Sequence, residues 1–505
     1  MPTGLPAQER FSHNPAGPHD LARAVQILDD QNQVQYVYSP DTVASELLTA
    51  DLASTRWLDL LAFDAAQADK SFSLAPTRHC SPAEGIGDVT DLYRGEPQVA
   101  RPPLVSSERA ASGEVPPVQQ QQSVETATEG NAWQLEEEVS LQDDELVLFR
   151  TFTERAALWM DLFDPLKHFA THATRLALRN TGLMKAILAL TSRHAIANAQ
   201  TNTVDANTPI QYYYETLHYV QESLQYTSYT RSEELLATVI IISTYEMLDD
   251  SSSNWKRHLR GVFWIQRSQD VHGASGGLRQ AVWWTWLRQD LWAAFREKRT
   301  CFSFWKPLTD VADLTQDQLA NRAIYLLSQT VNFYAHPSGN ANADSPLSSS
   351  LAKQQTGDAL LAALERWRTF LGPCYKPLPC AAVPGSPFKP IWIHPPQYAA
   401  ALQAYNFGKI LVTLHSPAVA GFQGYLKTQR VLSEAVDSIC GIAMELKDEG
   451  SQILSAQCLF GAGLCTQDPA KRDAIISLIK KCEERTGWPM PTPISDLVAE
   501  WAKYS

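Results

Sequence analysis

The stretch AVWWTWLRQDLWAAFREKR, Ala281–Arg299, sets four tryptophans and a phenylalanine among four basic residues. Wound as an α-helix, it gathers Trp283, Trp284, Leu287, Leu291, Ala294 and Phe295 on a wide apolar arc. Arg288, Trp292, Arg296 and Arg299 fall on a second side, Asp290 and Glu297 on a third. A helix apolar over most of its circumference belongs in a protein interior. Charge on two sides, and a length below the roughly 20 apolar residues of a membrane span, exclude a transmembrane reading. The i, i+4 spacing of Arg288, Trp292 and Arg296 lets guanidinium stack on indole. Two readings follow. The stretch is a core helix whose arginines pair with neighbouring carboxylates, or its basic-aromatic side is a cleft for an anionic effector or an acidic partner segment.

Working outward, nearly every segment from about Leu141 shows apolar residues at three- and four-residue intervals, the helical period. Examples are DELVLFRTFTERAALWMDLF (144–163), LMKAILALTSRHAIANA (183–199), SEELLATVIIISTYEMLDD (232–250) and PPQYAAALQAYNFGKILVTLHSP (395–417). No glycine-bounded alternating run signals a sheet. Two loops stand out, HPSGNANADSPLSSS at 336–350 and the proline-rich 372–396. No fixed repeat period is evident. The fold class expected is all-α: a large irregular multi-helix domain at 141–505.

What precedes it differs in composition. Residues 1–145 carry 24 acidic and 8 basic side chains, against 31 and 34 in the remaining 360. Most of the net charge of −13 therefore belongs to an acidic N-terminal region. Within it, SPDTVASELLTADLASTRWLDLLAF suggests one or two short helices in 1–75. Residues 76–140 are rich in proline, serine and glutamine, as in RPPLVSSERAASGEVPPVQQQQS, and read as a disordered linker. The acidic-hydrophobic segment Glu129–Phe149, with Trp133, Leu135, Val139 and Leu141, reads as a solvated lead-in to the first helix or as an activation segment that folds on a coactivator groove.

The chain opens without an apolar run, and its longest aliphatic run, near Leu235–Ile242, is too short to span a bilayer. A soluble intracellular protein with no membrane partner is expected. Eight cysteines, Cys80, Cys301, Cys374, Cys380, Cys440, Cys458, Cys465 and Cys482, include no C-x-x-C pair. Ordinary thiols fit better than a disulfide framework or a zinc site.

Catalytic motifs match poorly. GASGG, Gly273–Gly277, has the G-x-S-x-G spacing of a nucleophile elbow, but that motif needs a strand before it, and here a helix precedes. DDSSSNW, Asp249–Trp255, resembles the carboxylate motif of terpene cyclases, yet no second ligand motif is present. His168 and His172 share a helix face, but Phe169 stands where a zincin has glutamate. No P-loop or dinucleotide fingerprint occurs, so no catalytic or metal residue is assigned.

Taken together, LWMDLFDPLKHFATHATRLALRNTGLMKAILALTSRHAIANA, YYYETLHYVQESLQ, ELLATVIIISTYEML, NWKRHLRGVFWIQRSQ, GGLRQAVWWTWLRQDLWAAFREKR and the closing LFGAGLCTQDPAKRDAIISLIKKCEERTGWPMPTPISDLVAEWAKY resemble the fungal-specific transcription factor domain. This is the helical regulatory region of fungal zinc-cluster factors, and the resemblance runs over about 145–505. It implies that Trp255, His258, Leu259, Gly261, Trp283 and Leu287 are packing signatures, and that no catalytic residue carries over. Arg288, Trp292 and Arg296 remain the candidate regulatory face. DNA-binding members carry six clustered cysteines beside a basic run. Cys80 stands alone here, and acidic residues would repel phosphate. The expectation is a transcriptional regulator, nuclear at least part of the time and able to shuttle with the cytoplasm, for a metabolic or secondary-metabolite gene set. It reaches promoter DNA through a partner or a longer isoform, and zinc belongs only to such an isoform. Partners implied are another transcription factor, a coactivator, or a second copy in a homo- or heterodimer. The alternative is an all-α enzyme of a specialised biosynthetic pathway.

Overall fold

The computed structural model describes residues 26–28, 34–36, 133–198, 205–249, 255–336, 346–417, 421–489 and 491–503. The short helices expected in 1–75, and the linker as far as residue 132, lie outside these. Near the N-terminus, β1 (Gln26–Leu28) and β2 (Val34–Tyr36) pair antiparallel, with Ile27 opposite Gln35.

Among the described residues from 133 onward, every regular element is helical. Helix α1 (Asp143–Thr151) continues through a π-helical turn, Phe152–Ala156, into α2 (Ala157–Met160). A tight turn and a second π-helical segment, Phe169–Ala173, lead into α3 (Thr174–Ala177). There follow α4 (Thr181–Ala197), α5 (Thr208–Ser223), α6 (Thr227–Thr230), α7 (Glu233–Asp249), α8 (Trp255–Ser268) and α9 (Gly277–Glu297). The later helices are α10 (Gln316–Ala335), α11 (Pro346–Thr369), α12 (Pro396–His415), α13 (Phe422–Glu445), α14 (Glu449–Leu464), α15 (Pro469–Thr486) and α16 (Pro491–Ala502).

Their starts are written locally. Asn180 accepts the Leu183 N–H at the head of α4, and Thr315 with Gln318 closes a capping box on α10. Asp468 accepts the Ala470 N–H ahead of α15, whose first residue is Pro469. Each side chain satisfies a backbone donor that the helix itself leaves open.

Tertiary packing follows from where the apolar surface lies. Helix α4 packs on α5 and α7, and α9 touches α2, α7, α8, α10 and the second π-helical segment. Helix α10 runs along α12, which also carries α13 and α14; α14 in turn packs on α15, α16 and α2. The last helices are thereby tied back to the first. Trp283 and Trp286 on α9 are both 0% exposed. The Trp283 ring meets Trp284 and Trp305 edge-on, with centroids 4.7 and 4.9 Å away. Gly461 lets α14 approach α12 closely, since a Cβ there would overlap the Phe407 ring.

Residues 133–140, grouped with the linker by composition, pack on this body. Trp133 is buried, its indole N–H donates to Ser228 Oγ at 2.9 Å, and its ring lies 5.0 Å from that of Tyr229. The backbone N–H groups of Leu135 and Val139 donate to Arg179 O and Leu178 O. Over the described residues, the acidic segment is a docked lead-in to α1.

Candidate functional site

Helix α9 starts where two consecutive glycines make backbone room. Gly276 has φ +77° and Gly277 φ +54°; Gly276, the residue before the helix, has no side chain to cap the first turn, and its own N–H donates to Gln280 Oε1 at 3.2 Å. It stops at Lys298, whose left-handed backbone (φ +53°) turns the chain back. Arg299 therefore folds onto its own helix and donates to Asp290 Oδ1 at 2.7 Å and to Glu297 Oε2 at 2.8 Å. Asp290 is fully buried and also accepts the Phe302 N–H at 2.8 Å. Burial raises its pKa, opposed chiefly by the charge of Arg299.

The three residues of the candidate face part company. Arg296 pairs with Asp496 of α16 and lies 5.6 Å from the Trp292 ring and 5.0 Å from that of Phe460. Trp292 meets Phe460 edge-on at 5.6 Å, so the stacked pair serves the junction of α9 with α14 and α16. Arg288 points elsewhere. Its Nη2 donates to Met160 O at 2.6 Å, Trp159 O at 3.4 Å and Thr285 Oγ1 at 3.2 Å. The carbonyls of Trp159 and Met160 end the helical run that began at Asp143, so Arg288 caps it. Among the described residues, no carboxylate lies within ion-pair distance of Arg288. Burial lowers its pKa to about 10, with Asp161 and then Asp164 opposing through charge.

Sequence reading did not select Asp161 or Asp164, the carboxylates whose charge acts on Arg288. Asp161, 5% exposed, accepts the N–H groups of Phe169 and Ala170, both at 2.9 Å. Burial raises its pKa to about 7, against the lowering by those two hydrogen bonds, and Asp164 adds to the rise. Asp164 accepts from the His168 backbone at 2.8 Å and contacts His168 Nδ1 at 2.7 Å. A cavity of about 220 Å³ opens beside Arg288, bounded by this turn and by the first turns of α9 and α10. A second, of about 50 Å³, lies on its other side against Trp159, Met247 and Leu454. The sequence signal was present only as a lone arginine; the cavity walls come from separate elements.

The remaining selected residues fall as follows. Trp283, Leu287 and Leu259 are 0% exposed, and Gly261 is buried. Trp255 and His258 lie in α8, but their side chains fall outside the described set. Ser275 of the GASGG loop accepts the His272 N–H at 2.8 Å and closes a turn. His168 and His172 take separate carboxylates, His172 Nε2 lying 3.0 Å from Glu233. Most of DDSSSNW lies outside the described residues, while Asp249 pairs with Arg193 at 2.6 Å. Burial pushes the Cys465 and Cys482 thiols up to about 12, so both stay protonated near neutrality. No described helix is long and apolar enough to cross a membrane.

Residues 147–268, from within α1 to the end of α8, match the fungal specific transcription factor domain. The chain is also similar to Transcription activator AMTR1 of Alternaria alternata, 24% identical over 352 residues. That similarity covers 55% of this chain and 45% of the activator, so the chain spans less than half of the relative's length. No solved structure matches. The resemblance read over 145–505 is thus met by a family match over 147–268.

Proposed function

We propose that the chain is a regulator of transcription and that its helical body receives control signals rather than performing chemistry. The observation that carries this reading is the family match over 147–268, which includes the turn beside Arg288. The similarity to a transcription activator supports it. Its site of action is the nucleus, and its targets are a metabolic or secondary-metabolite gene set. Promoter DNA is reached through a protein partner or a longer form of the protein, in which a zinc cluster would supply the reading head. Arg288, Trp292 and Arg296 are proposed as regulatory positions, with Arg296 acting at the α9–α16 contact and Arg288 at the cavity.

Full-length 1–505 tethered to a heterologous DNA-binding domain should change output from a reporter, and a fluorescent fusion should enter the nucleus. Arg288→Ala combined with Arg296→Ala should alter that output at unchanged protein level. A tethered chain that leaves the reporter at its untethered baseline sinks the proposal.

A further inference from the structure

We infer that the 220 Å³ cavity between the turn at 160–168 and the first turns of α9 and α10 is a binding site for a small organic monocarboxylate that also carries a hydrogen-bond donor. This deepens the regulatory reading by naming the class of effector, and its test does not depend on transcription.

Gly277, Ala281, Trp284 and Arg288 recur every three to four residues along α9, so one face of that helix forms a continuous wall of the cavity. Arg288 faces the cavity with its guanidinium held by Nη2 alone, and no described carboxylate pairs with it. A half-buried cation in that position is stabilised by an anion brought in from outside. At the other end of the wall Gln280 Oε1 takes the Gly276 N–H at 3.2 Å, while the preceding residue supplies no cap to the first turn of α9, whose N–H groups favour negative charge. Gly276 and Gly277 leave open space there, since a Cβ on either would meet nothing within 4 Å.

Two further features narrow the ligand. Asn321 lines the cavity, is only 7% exposed, and its Oδ1 has no partner. An acceptor buried without a donor costs stability, so a ligand hydroxyl or amine placed there is favoured. Asp164 and Asp317 also line the wall. Asp164 is engaged by His168 and Asp317 accepts from the Tyr398 hydroxyl at 2.8 Å, so a second negative group on the ligand would sit against two wall carboxylates. One negative charge is welcome and two are not. A phosphate ester or dicarboxylate is therefore disfavoured, and with water alone the guanidinium has only the more distant charges of Asp161 and Asp164, neither within ion-pair distance. Trp284, Met160 and Phe163 supply an apolar surface for the ligand's carbon skeleton.

The test uses purified 1–505 with mandelate and 2-hydroxyisocaproate, their primary amides, and inorganic phosphate, read by thermal melting and calorimetry. The hydroxy acids should raise the melting temperature saturably, with the amides and phosphate weaker by about tenfold or more. Gln280→Glu adds a carboxylate to the wall at a half-buried position and should weaken hydroxy-acid binding by about tenfold. Arg288→Met should abolish it; if that variant does not fold, Gln280→Glu and the amide comparison decide. Equal binding of acids and amides, phosphate binding as tight as the hydroxy acids, or an unchanged Gln280→Glu variant overturns the assignment. So does the absence of any melting shift up to about 10 mM hydroxy acid, well above the millimolar range of a weak site. A site that binds while the tethered chain leaves the reporter unchanged separates this inference from the transcriptional one.

Discussion

Trp283 shows how one side chain anchors the helix that carries it. Its ring is fully buried between Trp284 and Trp305. Trp283→Ala should cost about 3–5 kcal/mol, because transfer free energy and a residual cavity add. Denaturant unfolding checks this, and unchanged melting of a soluble variant contradicts the core reading. Asp161 gives a different residue-scale prediction. Its folded pKa near 7 exceeds the ordinary aspartate value of 3.8, so around neutrality the folded protein holds a proton that the unfolded chain releases. The stability from this proton is fully present below the unfolded pKa and is lost as pH rises through 7. Between pH 6 and pH 8 the loss is about 1.4 kcal/mol. Asp161→Asn should flatten that part of the stability profile, measured by urea unfolding at both pH values. Asp164, His168 and Arg288 face the same group and remain in the variant, so an equally steep profile would place the titration on them.

Elements meet here through close approaches that periodicity does not announce. Helices α12 and α14 are in contact because Gly461 leaves room for the Phe407 ring. Gly461→Ala should destabilise by about 1–3 kcal/mol, the usual effect of overpacking a filled core, despite alanine's better helix propensity. A higher melting temperature for this variant would show that the Phe407 ring moves aside freely. The apolar arc of α9 was legible because Trp283, Leu287 and Leu291 repeat at helical spacing, and all three are buried. The grouping of Arg288 with Trp292 and Arg296 was legible as spacing alone. What each arginine meets depends on α2 for one and α16 for the other, and a helical wheel contains neither.

For the whole molecule, charge and metal chemistry set the expectation. The basic zone Trp255–Lys306 holds ten basic and three acidic residues, yet several of its arginines are already committed: Arg296 to Asp496, Arg299 to Asp290. Such residues offer phosphate only weak, salt-sensitive attraction. Purified 1–505 should show no sequence-specific duplex binding at physiological salt and should not retain stoichiometric zinc. Gel shifts across a salt series and metal analysis check both. A tight, sequence-selective shift by the isolated chain would mean a DNA-reading surface on the helical body.

The helical character of the body, the interior position of the tryptophan-rich helix and the acidic asymmetry of the N-terminal region followed from sequence, because periodicity and composition are local properties of a chain. The docking of Trp133 onto Ser228 and Tyr229 did not, nor did the capping of the Asp143–Met160 run by Arg288. The cavity that joins Arg288 to Asn321 and the first turn of α9 was equally invisible. Those features join residues tens to more than a hundred positions apart. Burial, desolvation and hydrogen-bond satisfaction at such points depend on which surfaces meet, and only the packed chain decides that.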